Sequence, residues 1–260
     1  MNPAYRLIDS HAHLDEITSL QEVIAEAKLA GVIAIIAVGS DYQSNNKVMG
    51  LARDYNGFVY PALGLHPWNL KGEDIEGTLE FIEGNIDKAV AIGEIGLDYH
   101  KKVRERAGKS LQMDLLSRLL KIAGTHRKPA IIHSRYAWRD AFAVVSQTQV
   151  ENVVFHWYTG TSSVLRDIIN QGYFISASPA VEYHEEHRRA VKQIPLERLL
   201  LETDSPVIYR RGTEFEYQSN PSHICKALRG VVELRGIDET QVAEMTTVNA
   251  LRLFNLEATC

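Results

Sequence analysis

The sequence predicts a single (β/α)8 TIM barrel of the α/β class, and three observations carry that expectation. Eight apolar runs rich in β-branched residues recur along the chain, each followed by a helix-sized segment. The chain has 260 residues, close to the roughly 250 that such a barrel takes. No linker, low-complexity tract or composition break divides it, so residues 1–260 read as one domain. An open, doubly wound sheet is disfavoured because no strand leads into a Gly-x-Gly-x-x-Gly turn or a phosphate loop.

The elements follow in order. Residues 7–13 form the first strand, an apolar run that closes on His11 and His13. Residues 20–30 read as a helix stopped by Gly31. Residues 32–38 are almost continuously apolar, as in a strand buried on both faces. A helix over 44–55 leads to a strand over 58–64, and then to Leu65, His66 and Pro67. Residues 73–86 have a helical pattern, and 89–93 follow as a strand ending at Glu94. The longest helix spans about 107–126, with Leu111, Leu115, Leu119 and Ile122 on one stripe. Strands at 129–133, 153–156 and 173–176 alternate with helices at 138–146 and 163–171. The last strand covers 199–204, and helices at 221–235 and 239–253 close the chain. The final helix opens on Asp238 with Gln241 three residues on, a capping-box pattern.

Bulk properties narrow the class. Hydrophobic content of 45% and charged content of 23% are ordinary for a soluble enzyme. No apolar run approaches the roughly 18–20 residues of a membrane helix, and the N-terminus has no secretory pattern. Cys225 and Cys260 are poorly placed for a structural disulfide, which suits a reducing, cytoplasmic setting. A net charge of −5 argues against a broad basic face for nucleic acid. It leaves room for an enzyme that meets phosphate through bound cations, because a divalent ion reverses the local field.

The metal-capable residues collect at strand ends. His11 and His13 close the first strand, Glu94 the fourth, His133 the fifth, His156 the sixth and Asp204 the eighth. All six therefore map to the C-terminal face, where barrel enzymes keep their sites. In a strand His11 and His13 share a face. Four imidazoles and two carboxylates exceed what one tetrahedral ion requires and suit two ions with a shared ligand. Glu94 is the natural bridge, and the expected cofactors are two divalent ions of Mg, Mn or Zn. Two such ions can clamp both oxygens of a displacement and turn water into hydroxide near neutral pH. The chain thus reads as one metal-dependent hydrolase barrel over 1–260.

Several segments resemble the TatD family of metal-dependent deoxyribonucleases. They are Asp9-Ser10-His11-Ala12-His13-Leu14-Asp15, Gly64-Leu65-His66-Pro67, Gly93-Glu94-Ile95-Gly96-Leu97-Asp98-Tyr99, His133-Ser134-Arg135, and Glu202-Thr203-Asp204-Ser205-Pro206. Thr246-Thr247-Val248-Asn249-Ala250 with Leu253-Phe254 is also similar. The resemblance spans nearly the whole chain, in order. It implies a nuclease that hydrolyses phosphodiester bonds of a DNA partner, as a 3′–5′ exonuclease on single-stranded ends. It implies His11, His13, Glu94 and Asp204 around one metal, and Glu94, His133 and His156 around the other. Asp204 would also orient or deprotonate the attacking water, making Asp204 and Glu94 the catalytic carboxylates. His66 either meets phosphate or caps the strand end before Pro67. Arg135 either grips a phosphate oxygen bidentately or serves as a salt-bridge partner.

The chain departs from the family pattern in its loops. Trp157-Tyr158-Thr159-Gly160 follows His156 where the family usually has Phe and then Gly within a residue or two. Those aromatics either stack on an unpaired base or pack under a loop. Leu111-Gln112 stands where relatives tend to carry Arg-Gln, and 210–217 also looks altered. The basic clusters at 101–106 and 210–211 read as solvated loops rather than a phosphate track. The rival function is a small-molecule amidohydrolase or lactonase, many of which bridge their metals with a carboxylated lysine on the fourth strand. Here that place holds Glu94, and Lys88 falls at the strand's start. A barrel kept only as a binding scaffold would have lost ligands, and all six are present.

Overall fold

Strands apolar on both faces bury one face in a barrel lumen and the other beneath helices. The computed structural model describes residues 5–72 and 74–257. Glu73, expected to open a helix, and Cys260 lie outside them. Among the described residues, eight strands pair in parallel in chain order: β1 Leu7–Ala12, β2 Val32–Val38, β3 Val59–Leu63, β4 Ala91–Asp98, β5 Ala130–Arg135, β6 Val153–Phe155, β7 Phe174–Ala177 and β8 Leu199–Leu201. The chain beyond β8 returns to β1. Asp204 N donates to His11 O at 2.9 Å, His13 N donates to Ser205 O at 2.7 Å, and Ala12 bridges Ser205. These contacts close the barrel.

Between the strands lie α1 Leu20–Leu29, α2 Tyr42–Asp54, α3 Ile75–Asn85, α4 Lys101–Arg104, α5 Lys109–Thr125, α6 Trp138–Ser146, α7 Ser162–Asn170 and α8 Glu185–Val191. After β8 come a short hairpin, β9 Ile208–Tyr209 with β10 Tyr217–Gln218, and then α9 Ile224–Arg235 and α10 Glu239–Phe254. Aspartates cap three of the helices. Asp41 accepts from Ser44 N, Asp74 from Gly77 N and Asp238 from Gln241 N. Among the described residues, no helix is long and apolar enough to cross a membrane.

Two apolar layers fit the barrel. The lumen takes Ile8, Ala34, Ile36, Val38, Ala62, Ala91, Ile131, Val154, Phe174 and Leu200, with Leu253 and Phe254 of α10. The outer layer takes the alternate residues, among them Leu7, Ile35, Ile92, Ile132, Phe155 and Leu201, packed with helix residues such as Ile24, Leu119 and Val231.

Three expectations need correction. Leu111 is 41% exposed; α5 buries Gln112, Leu115, Leu116, Leu119, Leu120 and Ala123 instead, a stripe shifted by one residue. β4 does not end at Glu94 but runs four residues past it, because Leu97 and Asp98 keep pairing with Ser134 and Arg135. β8 stops at Leu201, so Glu202, Thr203 and Asp204 extend beyond its ladder. The helix α8 and the β9–β10 hairpin lack a clear periodic signal and were not expected.

Candidate metal centre

Strand parity accounts for most of the site. In β5 the lumen residue Ile131 is followed two positions later by His133, and beside β6 Val154 is followed by His156. Beyond β8, Leu200 is followed by Glu202 and Asp204 on the same parity. β1 and β4 break the rule. His11 comes three positions after Ile8 and Glu94 three after Ala91, an odd step, and each strand has a register irregularity in that interval. The irregularities return His11 and Glu94 to the lumen.

Two glycines make room for Glu94 and His133. A Cβ on Gly64 would stand 2.5 Å from Glu94 N. Gly96 has φ 155°, and a Cβ there would collide with the His133 carbonyl oxygen. Asp204 and Trp157 adopt left-handed φ values of 47° and 40°, each at a cost of about 1–2 kcal/mol. Both are held by neighbours, Asp204 N donating to His11 O and Trp157 N to Ser176 Oγ.

The six predicted metal residues converge on one carboxylate. Glu94 Oε2 lies 3.4 Å from His11 Nε2 and 3.3 Å from His13 Nε2. Its Oε1 lies 2.9 Å from His133 Nδ1 and 2.8 Å from His156 Nε2. Asp204 Oδ1 sits 3.4 Å from His11 Nε2 and 3.5 Å from His13 Nε2, and the two histidine nitrogens are 3.4 Å apart. Donors around one ion at about 2.1 Å stand about 3.4 Å apart at tetrahedral angles. The His11, His13, Glu94 and Asp204 donors fit that spacing. Among the described residues, three triads place their donor atoms within 4.8 Å of one another: His11, His13 and Asp204; His66, Glu94 and His133; and His11, His156 and Glu202.

The charges agree with a cation site. Burial opposes ionisation of Glu94, yet the surrounding histidines outweigh it and hold the carboxyl well below its ordinary range. Asp204 is likewise held down against burial, chiefly by His13. Burial disfavours the charge on His13, His133 and His156, and their carboxylate neighbours override it and raise all three. These carboxylate neighbours thus favour the protonated rings, and a bound cation would compete with those protons.

His66 has a different role. Its Nδ1 accepts from Trp68 N at 3.2 Å, capping the turn Pro67–Asn69, while Nε2 points to Glu94 Oε1 at 3.6 Å. Burial pushes its imidazole down to about 3, so it is neutral near pH 7. With Nδ1 accepting, Nε2 carries the hydrogen and offers a donor rather than a lone pair. The capping and site-facing readings thus hold together. Arg135 is ion-paired through Nε with Asp98 at 3.2 Å, and its buried Nη2 has no hydrogen-bond partner.

Several supporting residues were not foreseen as such. Asp98 Oδ2 accepts from Trp68 Nε1 at 2.6 Å and lies 3.4 Å from His133 Nε2, the ring atom pointing away from Glu94. Burial works against the Asp98 charge, but its bonds from His133 and Trp68 hold it well below the usual range. Gln112 is buried and clamps the Asp98 backbone, accepting from its N at 2.8 Å and donating to its O at 3.1 Å. Glu202 Oε1 faces His156 Nδ1 at 3.6 Å, and Ser176 Oγ donates to Glu202 Oε2 at 2.5 Å. Asp9 ties β1 to the β8 extension, accepting from His11 N, Thr203 N and Thr203 Oγ1. Burial pushes Asp9 up to about 8. Asp98 and Glu202 carried a readable signal, a carboxylate an even number of residues from a candidate ligand on the same strand or its extension. Gln112 carried none.

The loops also sort themselves. Tyr158 is fully buried, its hydroxyl donating to Thr161 O at 2.8 Å and its ring 4.3 Å from Trp138, so it packs under the loop. Trp157 lies 5.4 Å from Tyr209. Lys101, Lys102, Arg104 and Arg106 are exposed, and Arg210 is paired with Glu182 at 3.3 Å.

Comparison with known proteins matches this architecture. Residues 8–255 match the family described as TatD related DNase. The human protein named deoxyribonuclease TATDN3 is 34% identical over 261 residues, covering 95% of this chain and 94% of its own. A Bacillus subtilis protein, uncharacterized metal-dependent hydrolase YabD, is 32% identical over 260 residues, covering 96% and 99%. Among solved structures, the TatD homologue YjjV from Escherichia coli K12 superposes with a TM-score of 0.88 at 28% identity, covering 97% and 99%. With a barrel of eight parallel strands, histidines and carboxylates gathered at one rim and a match of this length, the chain is a metal-dependent hydrolase that belongs to the TatD-related DNase family.

Proposed function

We propose that the chain hydrolyses phosphodiester bonds of DNA, removing nucleotides from the 3′ end of single strands with two divalent ions of Mg, Mn or Zn. The observation that carries the two-ion reading is the Glu94 carboxylate, whose Oε2 faces His11 and His13 while its Oε1 faces His133 and His156. His11, His13, Glu94 and Asp204 would hold one ion; Glu94, His133 and His156 the other. When bound, the ions supply Lewis acidity and a hydroxide source near neutral pH.

The chain's own residues do the rest. Asp204, held ionised, takes the proton of the attacking water as the water oxygen bonds to phosphorus and the bond to the 3′ oxygen breaks, the leaving oxygen taking a proton from solvent. His66 presents a neutral N–H, and Arg135 its unpartnered Nη2, to phosphate oxygens. Asp98 and Glu202 fix the rings of His133 and His156 by facing their outer nitrogens. The names of the family and of the human relative support DNA as substrate. The amidohydrolase reading loses support because Lys88 lies in the turn Ile86–Lys88 before β4, away from the site.

The test strips the protein with chelator, restores Mg, Mn or Zn, and follows single- and double-stranded DNA labelled at either end. Loss of 3′ nucleotides from single strands is expected. Glu94→Ala should abolish it, with a fall of about a thousandfold or more, and should lose both ions by elemental analysis. Intact DNA beside a cleaved lactone or cyclic amide refutes the nuclease reading. Retention of two ions by Glu94→Ala refutes the bridge.

A further inference from the structure

We propose that Trp68, Tyr136 and Arg135 form a seat for the unpaired base next to the scissile phosphate, with the two rings as stacking faces and the guanidinium between base and phosphate. This rests on the reading of the chain as a nuclease acting on single-stranded DNA.

The seat stands at the rim, on the segments that follow β3 and β5. Trp68 is 42% exposed and Tyr136 is 73% exposed. Large rings this open are uncommon beside a polar centre, since most aromatic area is buried on folding. Neither is loose. Trp68 Nε1 donates to Asp98 Oδ2 at 2.6 Å, and the same oxygen lies 3.4 Å from His133 Nε2, so two contacts tie the indole to the metal centre. Tyr136 has φ 58°, a left-handed conformation that a bulky residue rarely takes. That conformation turns the chain just after the last residue of β5, and the His100 ring stacks beside Tyr136, 6.4 Å away and 23° from coplanar.

Arg135 joins the two rings. Its guanidinium carbon lies 5.2 Å from the Trp68 ring centre and 6.0 Å from that of Tyr136, within cation–π range. Nε is taken by Asp98, while Nη2 is buried with no partner. A buried donor left unpaired is unfavourable, and a substrate oxygen would satisfy it. Flat apolar faces, a cation and an adjacent site for divalent ions together match one chemistry, a nucleotide whose base is free to stack. A base inside a duplex already has both faces covered by its neighbours, so this seat selects unpaired ends. Tyr158, in the aromatic pair after His156, cannot serve, because it is fully buried.

The experiment uses the full chain loaded with Mg and single-stranded oligothymidylate. Tyr136→Ala should raise KM about tenfold while kcat stays within about twofold, the loss expected for one stacked base. Tyr136→Phe keeps the ring and should match the wild type. Separately, a phosphorothioate oligothymidylate should quench tryptophan fluorescence in the wild type and fail to do so in Trp68→Phe, which retains Trp138 and Trp157. Unchanged KM in Tyr136→Ala, or full quenching in Trp68→Phe, overturns the seat while leaving the nuclease reading intact. A wild type that cleaves no DNA overturns both.

Discussion

His187 ties acid stability to the metal centre's neighbourhood. It lies on α8, fully buried; Ser178 N donates to its Nε2 at 3.2 Å, and its Nδ1 faces Tyr158 O at 2.9 Å. A neutral ring with the hydrogen on Nδ1 satisfies both partners. Protonation would fill the Nε2 lone pair and set two N–H groups against each other. Burial accordingly pushes the imidazole down to about 4, against about 6.5 in an unfolded chain. As pH falls below about 6.5 the unfolded state takes up this proton first, so stability drops through the window between about 6.5 and 4. At pH 4.5 the loss from this one group is about 2.5 kcal/mol, or about 5–10 °C in Tm for a chain of this size.

The assay compares thermal unfolding of the wild type and His187→Gln, both with chelator, at pH 7.5 and 4.5. The variant keeps an acceptor for Ser178 N and has no titrating ring, so it loses the Tyr158 bond at both pH values. The other histidines occur in both proteins and cancel in the difference. The wild type should lose about 5–10 °C more than the variant on acidification. An equal loss in the two proteins refutes the assignment.

Two further substitutions probe how the centre is held. Gly64→Ala places a methyl 2.5 Å from Glu94 N and Gly93 C, both backbone atoms that cannot swing aside; it should cost about 1–3 kcal/mol and lower metal content, and a wild-type Tm would refute it. Asp98→Asn keeps one acceptor where Trp68, His133, Arg135 and the His100 backbone now share two oxygens. Metal affinity by competition with a chelator should fall about 10–100-fold, and unchanged affinity would refute the orienting role of Asp98.

The barrel was legible because both faces of its strands are apolar, so runs such as 32–38 and 130–132 announce themselves without alternation. The candidate ligands were legible as a cluster because imidazole and carboxylate side chains stand where those runs end. What the sequence hid has physical causes. The stripe of α5 slipped by one residue because Leu111 and Leu115 share a spacing with either face, and Gln112 is buried for its bonds to Asp98 rather than for its polarity. The extension of β4 was hidden because Gly96 and Asp98 look like turn residues, whereas Gly96 is there to let the His133 carbonyl approach. His66 offered two roles that seemed exclusive, yet one ring nitrogen caps the turn while the other faces Glu94 and leaves the second role open to it.

The placement of the centre follows from where the barrel closes. Strand parity delivers His133 and His156 to the lumen, but a strictly regular β1 and β4 would turn His11 and Glu94 outward. The two register irregularities are therefore required by the site, not by the core, since Ile8 and Ala91 already fill the lumen below them. The same segment that supplies Asp204 also supplies the closing bonds to His11 and His13. Asp204 cannot reach those histidines unless the seam between β8 and β1 is shut, and Glu94 then spans from that seam to β5 and β6. The segment that closes the seam is thus the one that brings Asp204 to His11 and His13, and Glu94 faces both pairs of histidines.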